Sequence, residues 1–212
     1  MPTSTARSEV RQRVRGLYLL IDSEVGGRDP ERYANLALEA GVRLLQLRCK
    51  GWKPQEILDL ARLVVPRCRQ LGATLIVNDH PEVAVAADAD GVHVGQLDGE
   101  TRSIRAILGE DRIIGRSTHD PAQLAAASRE ADYVAFGPVW STQHTDRPKG
   151  VRGPDSLRRA RAAVPSTPLV AIGGIDAARL PIVRSAGVDA WAVIGAVALA
   201  SDAAAAIAEL RA

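Results

Sequence analysis

From residue 16 onward the chain alternates two textures. Aliphatic runs of four to seven residues are followed by longer stretches whose apolar residues recur every three or four positions. The short runs predict strands over 16–22, 42–48, 73–78, 91–94, 112–117, 133–137, 168–174 and 190–195. The longer stretches predict helices over 30–40, 54–71, 81–87, 100–108, 120–129, 154–163, 176–185 and 197–211. Start and stop signals support them. Asp29 precedes Pro30 and Gly41 follows the same segment, and Asp120-Pro121 and Gly153-Pro154-Asp155 repeat the opening.

Strand–helix repetition at this beat requires parallel strands with crossover helices. Eight units close into a single-domain (β/α)8 TIM barrel, an α/β fold, here spanning residues 15–212. An open doubly wound sheet is the alternative, but no G-x-G-x-x-G follows the first strand. Residues 1–14 are polar and lack the apolar stretch of a signal peptide, so they read as a flexible N-terminal tail.

Composition narrows the class. Hydrophobic residues make up 46% of the 212 and aromatics only 3%, so branched aliphatics must fill the core. A net charge of +2 is too small by itself to suggest a nucleic-acid partner, and none is expected. No apolar run reaches the roughly 18–20 residues of a membrane span. Cys49 and Cys68 have neither metal nor redox spacing, which fits a reduced, cytoplasmic setting. No His-Glu cluster has the spacing of a zinc site.

In a barrel, chemistry gathers at the C-terminal ends of the strands. There the sequence places Asp22, then Gln46, Arg48 and Lys50, then Asn78-Asp79, His93, Gln96 and Asp98, and then Ser117 and His119. The later strands end in "GPVWSTQHT", "IGGI" and "VIGA". In "RLLQLRCKG", alternation sets Leu45, Leu47 and Cys49 on one face and Gln46, Arg48 and Lys50 on the other. An amide and two cations on a rigid strand suit a phosphate or diphosphate. The same cations could instead pair with Asp22 or Asp79 as a structural network.

Asp79 and Asp98 leave adjacent strands and together suit Mg²⁺, a hard ion that bridges carboxylates to phosphate oxygens. Asp98 could alternatively cap the helix that follows it. The glycine turns at Gly174 and Ile194-Gly195 suit a second phosphate, held by backbone N–H groups. His119, just past a strand end, is a candidate acid–base residue, whereas His93 alternates inward with Val92 and Val94.

Taken in order, "QLRCK", "LIVNDH", "ADGVHVGQLD", "GRSTH", "FGPVWST", "VAIGGI" and "AWAVIGA" resemble the thiamine phosphate synthase family. The resemblance covers about residues 16–200 and implies a (β/α)8 barrel. It implies a Mg²⁺-dependent transferase with two small-molecule substrates. One is 4-amino-5-hydroxymethyl-2-methylpyrimidine diphosphate. The other is 4-methyl-5-(2-phosphoethyl)thiazole or its carboxylate form. The products are thiamine phosphate and pyrophosphate.

By position, Gln46, Arg48, Lys50, Asn78 and Ser117 would hold the pyrimidine diphosphate, and Asp79 and Asp98 the metal. Thr142, Gln143, His144, Gly174, Ile194 and Gly195 would hold the thiazole phosphate. Arg48, Lys50, Ser117 and His119 would carry the catalysis. A homodimer is a possible assembly.

One loop departs from the family pattern Pro-Thr-x-Thr-Lys. "STQHT" keeps Thr142 but has His144 for the second Thr and Thr145 for the Lys. Arg147 and Lys149 are nearby cations that could replace the lost charge. The departure keeps two alternatives open. One is a sister family of thiazole tautomerases, with His119 as acid–base residue. The other is a phosphate-binding barrel without catalysis.

Overall fold

The computed structural model describes residues 4–143 and 150–212. Eight strands form one closed parallel barrel in sequence order. They are β1 (Gly16–Asp22), β2 (Leu44–Arg48), β3 (Thr74–Asn78), β4 (Gly91–Val94), β5 (Ile113–Thr118), β6 (Tyr133–Phe136), β7 (Leu169–Ile172) and β8 (Ala190–Val193). β8 closes on β1 through the pairs Gly16↔Ala190 to Leu19↔Val193. The barrel expected from the strand–helix beat is therefore the fold, and the open sheet is not.

Among the described residues the helices are α1 (Ser4–Arg13), α2 (Pro30–Glu39), α3 (Pro54–Gln70), α4 (Pro81–Ala86), α5 (Thr101–Leu108), α6 (Pro121–Glu130), α7 (Pro154–Ala163), α8 (Leu180–Ser185), α9 (Gly195–Ala198) and α10 (Ala203–Arg211). Asp29 and Asp120 do cap α2 and α6, accepting from the N–H groups of Arg32 and Gln123. The helix expected over 197–211 is split in two. Asp202 accepts the N–H of Ala205 at 3.0 Å, so a fresh N-cap starts α10. α8 begins later than expected, because Asp176 first closes a turn by accepting the N–H of Arg179 at 2.9 Å.

Alternation along each strand builds two cores. Leu45, Leu47, Leu75, Val77, Val92 and Val94 face outward and pack under the helices. Tyr18, Leu20, Leu44, Ile76, Ile113, Tyr133 and Val170 fill the barrel interior. Burial on both faces explains why the strands read as continuous aliphatic runs.

A repeated device fixes the strand starts. Asp90, Asp132 and Asp189 each immediately precede β4, β6 or β8 in chain order. Each turns its carboxylate to the first N–H groups of the preceding strand. Asp90 accepts from Leu75 at 2.7 Å, Asp132 from Ile114 at 2.7 Å and Asp189 from Leu169 at 2.8 Å.

Within the stretch expected as a loose tail, 1–14, the described residues form α1 over Ser4–Arg13. Val10 and Val14 pack on the interior cluster, and Val14 is fully buried. Arg11 pairs with Asp189 at 2.8 Å and Arg13 pairs with Asp90. The polar residues thus cover an apolar stripe that plugs the N-terminal end of the barrel, opposite the mouth where the strands end.

Candidate functional site

A cavity of about 700 Å³ opens at the C-terminal ends of the strands. Gln46, Arg48, Lys50, Asn78, Asp79, Asp98, Ser117, His119, Thr142, Gln143, Gly174, Ile194 and Gly195 all line it. Residues from distant parts of the sequence therefore share one space. His144, with Thr145, Arg147 and Lys149, lies outside the described residues.

The cationic wall comes from the end of β2 and the turn after it. Arg48 is held by Asp22, whose side chain is buried at 0% exposure and also accepts the N–H of Glu24 at 2.9 Å. Lys50 Nζ lies 3.5 Å from Asp79 Oδ2. The structural pairing left open by the sequence is therefore real for both cations. It does not remove them from the cavity, because both still line it. Asp22 fixes where the guanidinium stands.

Asp79 has φ of 63°, a left-handed conformation that Asp tolerates better than most residues. Its N–H donates to the carbonyl of His93 at 2.9 Å, which turns the carboxylate to the cavity. Burial raises its pKa, and the Asp98 carboxylate facing it raises it further, against the pull of Lys50. Asp98 is not a helix cap. The N-cap of α5 is Glu100, and Asp98 Oδ2 instead accepts the N–H of Gly95 at 2.6 Å. That bond holds Asp98 in the loop, opposite Asp79. Among the described residues no group of three or more His, Cys, Asp or Glu side chains is placed to hold a metal.

A chain of side chains runs through the barrel interior; Tyr18, Gln46, His93 and Ser117 line the cavity, and Tyr133 is buried among them. Gln46 Nε2 donates to the Tyr18 hydroxyl at 2.7 Å, and the Tyr18 and Tyr133 hydroxyls meet at 3.0 Å. Tyr133 reaches His93 Nδ1 at 2.8 Å, and His93 Nε2 reaches Ser117 Oγ at 2.8 Å. Burial pushes the His93 pKa down to about 4 and raises those of both phenols. Gly115 makes room for this chain, since a Cβ there would sit 2.0 Å from the Tyr133 ring.

His119 sits at the end of β5, where its Nδ1–H donates to the carbonyl of Gly137 at 2.8 Å. Its backbone N–H donates to Gln123 Oε1 at 2.9 Å, so ring and backbone are both anchored.

The far wall is built from glycine. A Cβ on Gly173 would meet Pro138 at 2.5 Å, and one on Gly174 would meet Ser141 O at 2.6 Å. Both glycines have positive φ, 102° and 63°. The β6 and β7 loops thus pack backbone to backbone. Arg179 lines the same wall, with its guanidinium 5.3 Å from the centroid of the Trp140 ring.

Sequence reasoning missed Tyr18, Tyr133 and Arg179. Inward parity could have found the tyrosines, since Tyr18 alternates with Leu20 and Asp22, and Tyr133 with Ala135. Arg179 is brought in by the turn before α8 and has no local signal.

Known proteins similar to this chain in sequence fall in one family. The family model described as thiamine monophosphate synthase matches residues 17–197. A thiamine-phosphate synthase of Laribacter hongkongensis is 43% identical over 198 residues, covering 92% of this chain and 93% of the relative. One of Geobacillus kaustophilus is 42% identical over 211 residues, covering 96% and 95%. A solved thiamine phosphate pyrophosphorylase from Pyrococcus furiosus superposes with a TM-score of 0.86 at 32% identity, covering 95% of this chain and 96% of that one.

Proposed function

The chain belongs to the thiamine monophosphate synthase family, and from that premise we propose that it is a thiamine phosphate synthase. It transfers the pyrimidine methylene group from a pyrimidine diphosphate to the nitrogen of a thiazole phosphate. The carbon–oxygen bond to the diphosphate breaks, and pyrophosphate leaves with the electron pair. The thiazole nitrogen then donates its lone pair to the cationic carbon and forms the new carbon–nitrogen bond.

The observation that carries this reading is the polarity of the cavity. One wall holds two cations and two facing carboxylates, and the other presents glycine backbone. Arg48 and Lys50 bind the diphosphate and hold its charge as it departs. Asn78 donates to the same group, while Gln46 and Ser117 orient the ring. Thr142, Gln143, Gly174 and the backbone of Ile194-Gly195 hold the thiazole phosphate. His119, anchored through Gly137, lines the space between the subsites. The role of His144 as a thiazole phosphate contact belongs to the same reading.

Mg²⁺ fits the carboxylate pair. Two acidic groups face each other, one with its pKa raised by burial and then by that neighbour. Mg²⁺ commonly takes only one or two protein carboxylates and completes its shell with water and phosphate oxygens. Bound there, it would neutralise diphosphate oxygens. Asp79 and Asp98 are the residues that would hold it.

Cys49 and Cys68 are both buried and unbridged, which suits a reducing cytoplasm. Among the described residues no helix is long and apolar enough to cross a membrane. A homodimer is the assembly implied by the resemblance, and light scattering tests it.

The deciding experiment incubates purified protein with both substrates and Mg²⁺ and follows pyrophosphate and thiamine phosphate together. Stoichiometric formation at about 0.1–10 s⁻¹ is expected. No product, with isomerisation of a thiazole carboxylate phosphate instead, would make the protein a tautomerase.

A further inference from the structure

We propose that the buried chain Gln46–Tyr18–Tyr133–His93–Ser117 is a polarised hydrogen-bond wire that gives Gln46 and Ser117 opposite senses toward the pyrimidine ring, and so selects an aminopyrimidine over its oxo form. The ligand part of this inference rests on the substrate assigned under Proposed function.

The direction follows link by link. Gln46 Nε2 can only donate, so the Tyr18 oxygen accepts at 2.7 Å. Tyr18 therefore spends its own hydrogen on the Tyr133 oxygen, 3.0 Å away. Tyr133 in turn donates to His93 Nδ1 at 2.8 Å. A nitrogen that accepts carries no proton, so the imidazole proton sits on Nε2 and goes to Ser117 Oγ at 2.8 Å. The Ser117 hydrogen is then left over and points to the cavity that Ser117 lines. At the other end the Gln46 carbonyl oxygen is left to accept.

The wire moves as a unit. Tyr18 and Tyr133 are 1% and 0% exposed, so no water can mend a single reversed link. Turning the Gln46 amide over would reverse every bond and make Ser117 an acceptor. Tyr18, Tyr133 and His93 act through Gln46 and Ser117, although Tyr18 and His93 also line the cavity. They are positioning residues that decide what Ser117 and Gln46 offer the ligand.

The chemical consequence is specific. An aminopyrimidine offers a ring nitrogen that accepts and an amino group that donates, matching a Ser117 donor and a Gln46 acceptor. The 4-oxo analogue carries N–H where the first has a lone pair, and a carbonyl where it has an amino group. Both contacts become like against like.

Two measurements on the full chain test this. The first is long-range ¹H–¹⁵N spectroscopy of the ligand-free protein, with the His93 signals assigned by loss in His93→Gln. The Nε2–H tautomer is expected, with a shift toward Nδ1–H in Tyr133→Phe. An Nδ1–H tautomer in the wild type would overturn the wire's direction. The second is calorimetric binding of the aminopyrimidine diphosphate, its 4-oxo analogue and inorganic pyrophosphate. The wild type should prefer the amino form by about 100-fold, falling to about tenfold or less in Tyr133→Phe, with pyrophosphate affinity unchanged. Retention of the full preference would overturn the selection.

Should Tyr133→Phe fail to fold, Ser117→Ala serves instead. It should lose the preference while His93 stays Nε2–H, and an unchanged preference there would count equally against the proposal. If neither pyrimidine binds the wild type while pyrophosphate does, the substrate reading and the ligand part both fall. The tautomer alone then decides the wire.

Discussion

Asp79 shows what a site residue costs its own fold. Its pKa is raised, chiefly by burial and then by Asp98. A carboxyl whose folded pKa is raised keeps its proton longer in the native state. Its ionisation therefore lowers stability as pH rises through that value. In a chelator near neutral pH, Asp79→Asn should raise the melting temperature by about 2 °C or more. The same variant should lose Mg²⁺-dependent turnover by about 10³-fold. A lower melting temperature in the ligand-free variant would show that the Lys50 contact outweighs the repulsion. Asp22 is the converse case. It is buried against Arg48, and Asp22→Ala removes the buried carboxylate that this guanidinium pairs with. Denaturant unfolding should show a loss of about 3–5 kcal/mol.

Among the elements, the strand starts are the informative places. Asp132 takes the N–H of Ile114 at 2.7 Å and a guanidinium N–H of Arg105 at 2.5 Å, tying β5, β6 and α5 together. Asp132→Ala leaves a buried donor unmatched, and a loss of about 1–3 kcal/mol is expected in urea unfolding. α1 is also part of the barrel. Val14 is completely buried on the interior cluster, so Val14→Ala should cost about 2 kcal/mol, whereas a loose tail would give no change. Gly115 sets a limit of a different kind. A methyl group there meets the Tyr133 ring at 2.0 Å, so Gly115→Ala must displace the middle of the polar chain.

For the whole molecule, binding and stability are one quantity. The cavity joins every strand end from β2 to β8, so a ligand that fills it braces the closed barrel. Mg²⁺ with pyrophosphate, at about 100-fold over its Kd, should stabilise the protein by roughly 2.7 kcal/mol. Thermal melts should register a rise of several degrees. Asp98→Asn should abolish the part that needs the metal and leave the part due to pyrophosphate alone. An undiminished metal effect in that variant would place the ion elsewhere.

The sequence by itself determined the elements and their faces. Two-residue alternation put Gln46 and Arg48 on one side of β2, with Lys50 just past its end, and Asp-Pro pairs marked where α2 and α6 begin. These features depend on neighbours a few residues apart, which periodicity and turn chemistry encode directly. The eight-fold beat then fixed which ends of the strands would meet. The tertiary structure alone decided the partners. Arg48 meets Asp22 across 26 residues, and Tyr18 meets Tyr133 across 115. Asp98 turned from a possible cap into the neighbour of Asp79, and a polar N-terminus became the plug of the barrel. Such contacts arise only when the ring closes. Closure sets β1 beside β8 and brings side chains from β1, β2, β4, β5 and β6 into one interior, where a buried polar group must find whatever partner the barrel's register supplies.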